Sequence, residues 1–79
     1  MTYSDAIRKR LHELCNARKI SENHLATLSG LTQSTVEYIM SGKSKNPKLI
    51  TLHKIATGLN MTVSELLDFP EMNNEDLES

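Results

Sequence analysis

Only one cysteine, Cys15, occurs in the 79 residues, so no internal disulfide can staple the fold. That usage points to a reducing compartment, and the expectation is a soluble, cytoplasmic chain. No apolar run approaches the roughly 20 residues needed to cross a bilayer, and no secretory signal is visible, which argues against a membrane partner. Glycine-rich phosphate cradles and paired carboxylates are also missing. His12, Cys15, His24 and His53 do not fall at the spacing of a zinc site. Cys15 lies on an apolar helix face, where a small core residue is a better reading than a nucleophile. The sequence therefore reads as a non-enzyme with no cofactor, no metal and no small-molecule substrate.

Basic residues are absent from the last quarter of the chain. All nine Lys and Arg lie between Arg8 and Lys54, and the first sixty residues hold only four acids, leaving +5. The last nineteen residues hold six acids and no base, leaving −6, and the net charge of −1 hides the split. A basic body with an acidic end is the pattern to explain.

What the chain does have is helical periodicity with clear punctuation. Thr2 or Ser4 can cap a first helix whose apolar face is Ala6, Ile7, Leu11, Leu14 and Cys15, with Arg8, Lys9, Arg10 and Glu13 turned away. Ser21 caps a second helix with Leu25, Ala26 and Leu28 inward, and Gly30 ends it in the left-handed conformation. Thr32 caps a third, Gln33 to Ser41, which buries Val36, Ile39 and Met40 and stops at Gly42. A polar loop, Lys43 to Pro47, leads to a fourth helix carrying Leu49, Leu52, Ile55, Ala56 and Leu59. Thr62 opens a fifth with Val63, Leu66 and Leu67. No strand pattern appears, so the expected fold is all-α with five helices over residues 1–69. Pro70 ends the pattern, and residues 70–79 read as a solvated acidic tail.

Residues 21–41 carry the function signal. Two short helices meet at a tight glycine turn, Ala26 is small where a partner helix must come close, and Val36 and Ile39 anchor the second helix from behind. The outward side of that helix, 33–41, is polar and short-chained at its start, as a helix that enters a major groove about 12 Å wide needs to be.

The run Leu25-Ala26, Gly30 to Val36, Ile39, Gly42-Lys43, Asn46-Pro47, Thr51-Leu52, Lys54 to Ala56, Leu59 and Glu65-Leu66 resembles the Cro/C1-type, lambda-repressor-like helix-turn-helix family. The likeness spans about residues 6 to 68. It implies a compact five-helix domain that binds double-stranded operator DNA as a homodimer, acting as a transcriptional regulator and most commonly as a repressor. By that resemblance Gln33, Ser34, Thr35, Glu37 and Tyr38 hold the base-reading positions. Gln33 suits adenine N6 and N7, Thr35 or Tyr38 a thymine methyl or a phosphate, and Glu37 a cytosine N4. Thr32, Lys43, Ser44, Lys45, Asn46 and Lys48 hold the backbone-gripping positions, with Arg18 and Lys19 as weaker candidates. Leu66, Leu67 and Phe69 are candidates for a dimer contact, or else belong to the monomer core.

Two positions depart from the family. Members often begin the second helix with Gln near a phosphate, where this chain has Glu22, an acid that suits the helix dipole but not a phosphate. Several pair a buried Arg with a Glu at positions that here read Cys15 and Met40, which predicts an apolar contact in place of the ion pair. The alternative function is an antitoxin-like or other protein-interaction module with weak or lost DNA binding. A further expectation is that the acidic tail competes with DNA for the lysine loop.

Overall fold

A computed structural model describes residues 1–74, 77 and 78. Among them the chain forms α1 (Tyr3–Arg18), α2 (Glu22–Ser29), α3 (Gln33–Met40), α4 (Leu49–Gly58), α5 (Val63–Leu66) and α6 (Pro70–Asn74). The class is all-α, with a single isolated bridge, Thr2 to Glu78, and no named strand among the described residues.

Four of the helices start at a hydroxyl cap. Thr2, Ser21, Thr32 and Thr62 each accept from the backbone N–H three residues on, satisfying a donor that helix geometry leaves orphaned. At Thr62 the Glu65 carboxylate also accepts from the cap's own N–H, completing a capping box. Ser4 is not the first cap; it lies buried inside α1, with its hydroxyl 3.0 Å from that of Thr2.

One core holds the helices together. Ala6, Ile7, Leu11 and Cys15 of α1 meet Leu25 and Ala26 of α2, Val36, Ile39 and Met40 of α3, Leu52, Ile55 and Ala56 of α4, and Leu59, Leu66 and Phe69. Burying a Leu or Ile side chain fully is worth about 1.5–3 kcal/mol, so these positions supply most of the driving force.

Three sequence expectations need correction. Leu28 is 45% exposed, and Ser29 takes the inward place on α2. The cause is the close approach of α4 at Gly58, where a Cβ would stand 2.8 Å from the Ser29 hydroxyl and 2.9 Å from the Leu28 backbone. Leu49 is 69% exposed rather than in the core. It lies on the apolar stripe of α4, but Leu52, one turn later, already borders a groove, so the first turn lies past the core edge. Finally, order does not stop at Pro70. Proline opens α6 at the position where its missing N–H costs nothing, which makes six helices rather than five. Met72 and Leu77 pack on the core, Glu71 pairs with Lys9, and the Tyr3 N–H donates to the Glu78 carbonyl at 2.9 Å. For these residues the solvated tail is replaced by a strap across the start of α1. Glu75, Asp76 and Ser79 fall outside the described residues.

Candidate nucleic-acid interface

The α2–α3 unit forms because Gly30 adopts φ +65 at the end of α2 and Thr32 caps α3 two residues later. Gly42, at φ +80, closes α3 and sends the chain into the lysine loop. Val36, Ile39 and Met40 then face inward at 1%, 4% and 3% exposure. The same periodicity turns Gln33, Ser34, Glu37 and Tyr38 outward, all exposed, with Thr35 half-buried. A helix with side chains is about 10–12 Å across, which matches the width of a major groove.

Two of these outward side chains are already engaged with each other. Gln33 Nε2 donates to Glu37 Oε1 at 3.0 Å, one turn along α3. Thr32 accepts from the Thr35 N–H at 3.1 Å, and the two hydroxyls lie 2.8 Å apart. Thr32 is thus a cap first, and any contact with a phosphate would come from the hydroxyl while it still holds α3.

The fold brings helix and loop into one groove. Ser34, Thr35, Tyr38 and Ile39 line one wall, and Ser44, Asn46, Pro47, Lys48 and Thr51 line the other. Beside it α4 begins at Lys48 with no side-chain cap, unlike α2 and α3. Its first-turn N–H groups and positive dipole end are therefore available to an anion. Lys45 is placed differently: with Asn46 and Pro47 it borders a second, apolar groove formed by Tyr3, Ile7, Leu52, Leu67 and Met72.

The cations divide into two sets. Lys9 pairs with Glu71, Arg8 lies 3.8 Å from Asp5, and Arg18 donates to the Leu59 carbonyl. Arg10, expected to point into solvent, donates to the Leu66 and Glu65 carbonyls at 3.0 and 2.9 Å and lies 5.5 Å from the Phe69 ring centre. It closes the carbonyl end of α5 and is a structural residue that helix periodicity alone did not mark. Lys43, Lys45 and Lys48 are exposed, and none has a hydrogen bond or ion pair among the described residues. Among the described residues, the positive charge next to α3 is thus left uncompensated.

Leu66 and Phe69 are 1% and 6% exposed in the subunit's own core. Of the three residues considered for a dimer contact, Leu67 alone keeps side-chain surface, half-buried at the second groove. Cys15 and Met40 are both buried in the core where α1 meets α3. Burial pushes the Cys15 thiol above its ordinary range, and the Glu22 carboxylate adds to the effect. His12 is half-buried, and its Nε2 donates to the Met40 carbonyl at 2.9 Å.

Comparison with known proteins follows the same segment. A family model described as a Cro/C1-type HTH DNA-binding domain matches residues 10–71. The uncharacterized HTH-type transcriptional regulator RghRB of Bacillus subtilis (strain 168) is 37% identical over 59 residues, which cover 75% of this chain. The same stretch covers 42% of that relative, so the chain matches less than half of its length. Among solved structures, the prophage Lp1 protein 11 superposes with a TM-score of 0.82 at 35% identity, over 95% of this chain and 99% of that one. With a matching family model over most of its helices and a fold shared nearly end to end, the chain belongs to the Cro/C1-type helix-turn-helix DNA-binding family.

Proposed function

We propose that the chain is a sequence-specific regulator of transcription that binds double-stranded DNA with α3 in the major groove. The observation that carries this reading is the shared groove, in which an exposed polar helix face stands opposite Asn46, Lys48 and the uncapped start of α4. In this arrangement Gln33, Ser34, Thr35 and Tyr38 meet base edges, and Glu37 shares their face. Thr32, Lys43, Ser44, Lys45, Asn46 and Lys48 meet phosphates, setting register without reading sequence. A homodimer would place two copies of α3 about 34 Å apart on one DNA face, and Leu67 is the side chain best placed to join them. Bound over a promoter, such a dimer represses by occupancy, with no chemistry of its own.

Gel shift over a salt series tests the proposal. Phosphate contacts release counterions, so affinity falls steeply with salt, by roughly 0.9 decades per decade of salt for each contact. Lys48→Ala lowers that slope by about one and weakens all sequences alike, whereas Gln33→Ala relaxes preference at one base pair. Binding that is absent at low salt, or indifferent to salt, refutes it.

A further inference from the structure

The hydrogen bond between Gln33 and Glu37 constrains what Gln33 can read. A carboxylate only accepts, so the amide must present its NH2 end to Glu37, and this fixes which way the amide is flipped. One N–H is then occupied. What remains for a ligand is one N–H and the amide oxygen, a donor beside an acceptor. Adenine offers the complement in the major groove, N7 as acceptor and N6 as donor, while guanine offers two acceptors, N7 and O6. Against guanine the fixed amide oxygen would face O6, lone pair against lone pair.

We infer that Glu37 is a positioning residue: it locks the Gln33 amide in the orientation that accepts adenine and rejects guanine. This rests on the reading of α3 as the groove helix, and it replaces a direct contact of Glu37 with cytosine N4. Position supports it. Gln33 is the first residue of α3, the end that leads into the groove, and Glu37 lies one turn behind on the same face. Both side chains are exposed, and among the described residues the Gln33 amide has no other side-chain hydrogen bond; ordering it before binding removes part of the rotamer entropy that recognition would cost. Glu37 also brings a negative charge close to DNA, which weakens binding to every sequence while sharpening the choice among them.

The experiment uses the full chain. Wild-type protein selects sites from a random duplex library, and the best site is then compared with its adenine-to-guanine variant for wild type, Glu37→Ala, Glu37→Gln and Gln33→Ala. Glu37→Ala should lower the adenine-over-guanine ratio by roughly three- to tenfold while raising affinity for unrelated DNA. Glu37→Gln keeps a side-chain carbonyl that can accept but adds an NH2 that can donate to the opposite flip of Gln33, so it should keep a ratio between those of wild type and Glu37→Ala, whereas a purely electrostatic role predicts the alanine value and a helix-stabilising role the wild-type value. Adding Glu37→Ala to Gln33→Ala should change the ratio no further. An unchanged ratio in Glu37→Ala, a Glu37→Gln that behaves like the alanine variant, or a full effect that persists without Gln33 each overturns the inference. Failure of the wild type to select any sequence instead refutes groove reading itself, before a Glu37 variant is made. Independently of DNA, the Gln33 side-chain amide protons should shift in the nitrogen-15 spectrum of Glu37→Ala, and an unmoved pair rules the contact out.

Discussion

At the scale of single residues, burial and charge decide what each side chain does. Arg10 was readable as a cation on a polar face, yet it reaches two carbonyls at the end of α5, residues more than fifty positions away in the chain. Helix periodicity carries no signal for such a partner, because it describes one element and the bond joins two. Removing it leaves the carbonyls to water and strips the ring of Phe69, so Arg10→Ala should cost about 1.5–3 kcal/mol in denaturant unfolding. Arg10→Lys should restore only part, since an ammonium cannot fork across both carbonyls. Cys15 and Met40, by contrast, were legible from the sequence as apolar positions, and both are buried, on two helices that pack together. If they have replaced an ion pair, Cys15→Arg alone strands a buried charge and should cost about 3–5 kcal/mol. Combining it with Met40→Glu should recover a large share. A double-mutant cycle with no coupling would mean that the two side chains do not meet.

The elements themselves were largely legible because their ends are written in capping residues. Thr2, Ser21, Thr32 and Thr62 open helices, and Gly30 and Gly42 take positive φ just past α2 and α3. What the pattern missed is how the elements meet. Leu28 and Leu49 sit at apolar spacing but outside the core, because α4 crosses α2 at Gly58 and its first turn overhangs the packed layer. Gly58→Ala should therefore destabilise by about 1–3 kcal/mol although alanine favours helix, because a methyl group meets the Leu28 backbone, which cannot swing away. Gly30 shows the contrast: no atom lies within 4 Å of its missing Cβ, so there the constraint is φ alone. The capping box of α5 adds a pH signature. The Thr62 backbone and side-chain hydrogen bonds hold the Glu65 carboxyl below its ordinary range, and the Lys9 hydrogen bond does the same to Glu71. A carboxyl depressed in the folded state stabilises above its unfolded value, and that contribution is lost as pH falls through the folded value. The melting temperature should accordingly drop on acidification below the ordinary glutamate range, and Glu65→Gln should start lower at neutral pH and drop less.

On the scale of the whole molecule, the uneven charge decides how the interface is tuned. The sequence divides into a basic body and an acidic end, and the structure folds part of that end back over α1, with Glu71 on Lys9 rather than on the lysine loop. That position was illegible beforehand, since a helix of 5 residues carries too little periodicity to separate from coil. It changes what the acidic end can do to DNA binding. The molecule is 32 × 22 × 22 Å, and screening shortens electrostatic reach to about 10 Å at 0.1 M salt, so acids on the strap act on an incoming phosphate only at low ionic strength. Cutting the chain after Phe69 would confuse this effect with loss of packing by Met72 and Leu77. Neutralising charge while keeping the strap separates the two: Glu71→Gln with Glu78→Gln retains the backbone bond from Tyr3 and removes the Glu71 charge from beside Lys9. In fluorescence anisotropy with a duplex, the double variant should bind a few-fold tighter than wild type near 0.02 M salt, and the curves should converge by about 0.2 M. A gap that persists at high salt would mean that these acids touch the interface directly, and equal binding at low salt would mean that Glu71 and Glu78 exert no field there.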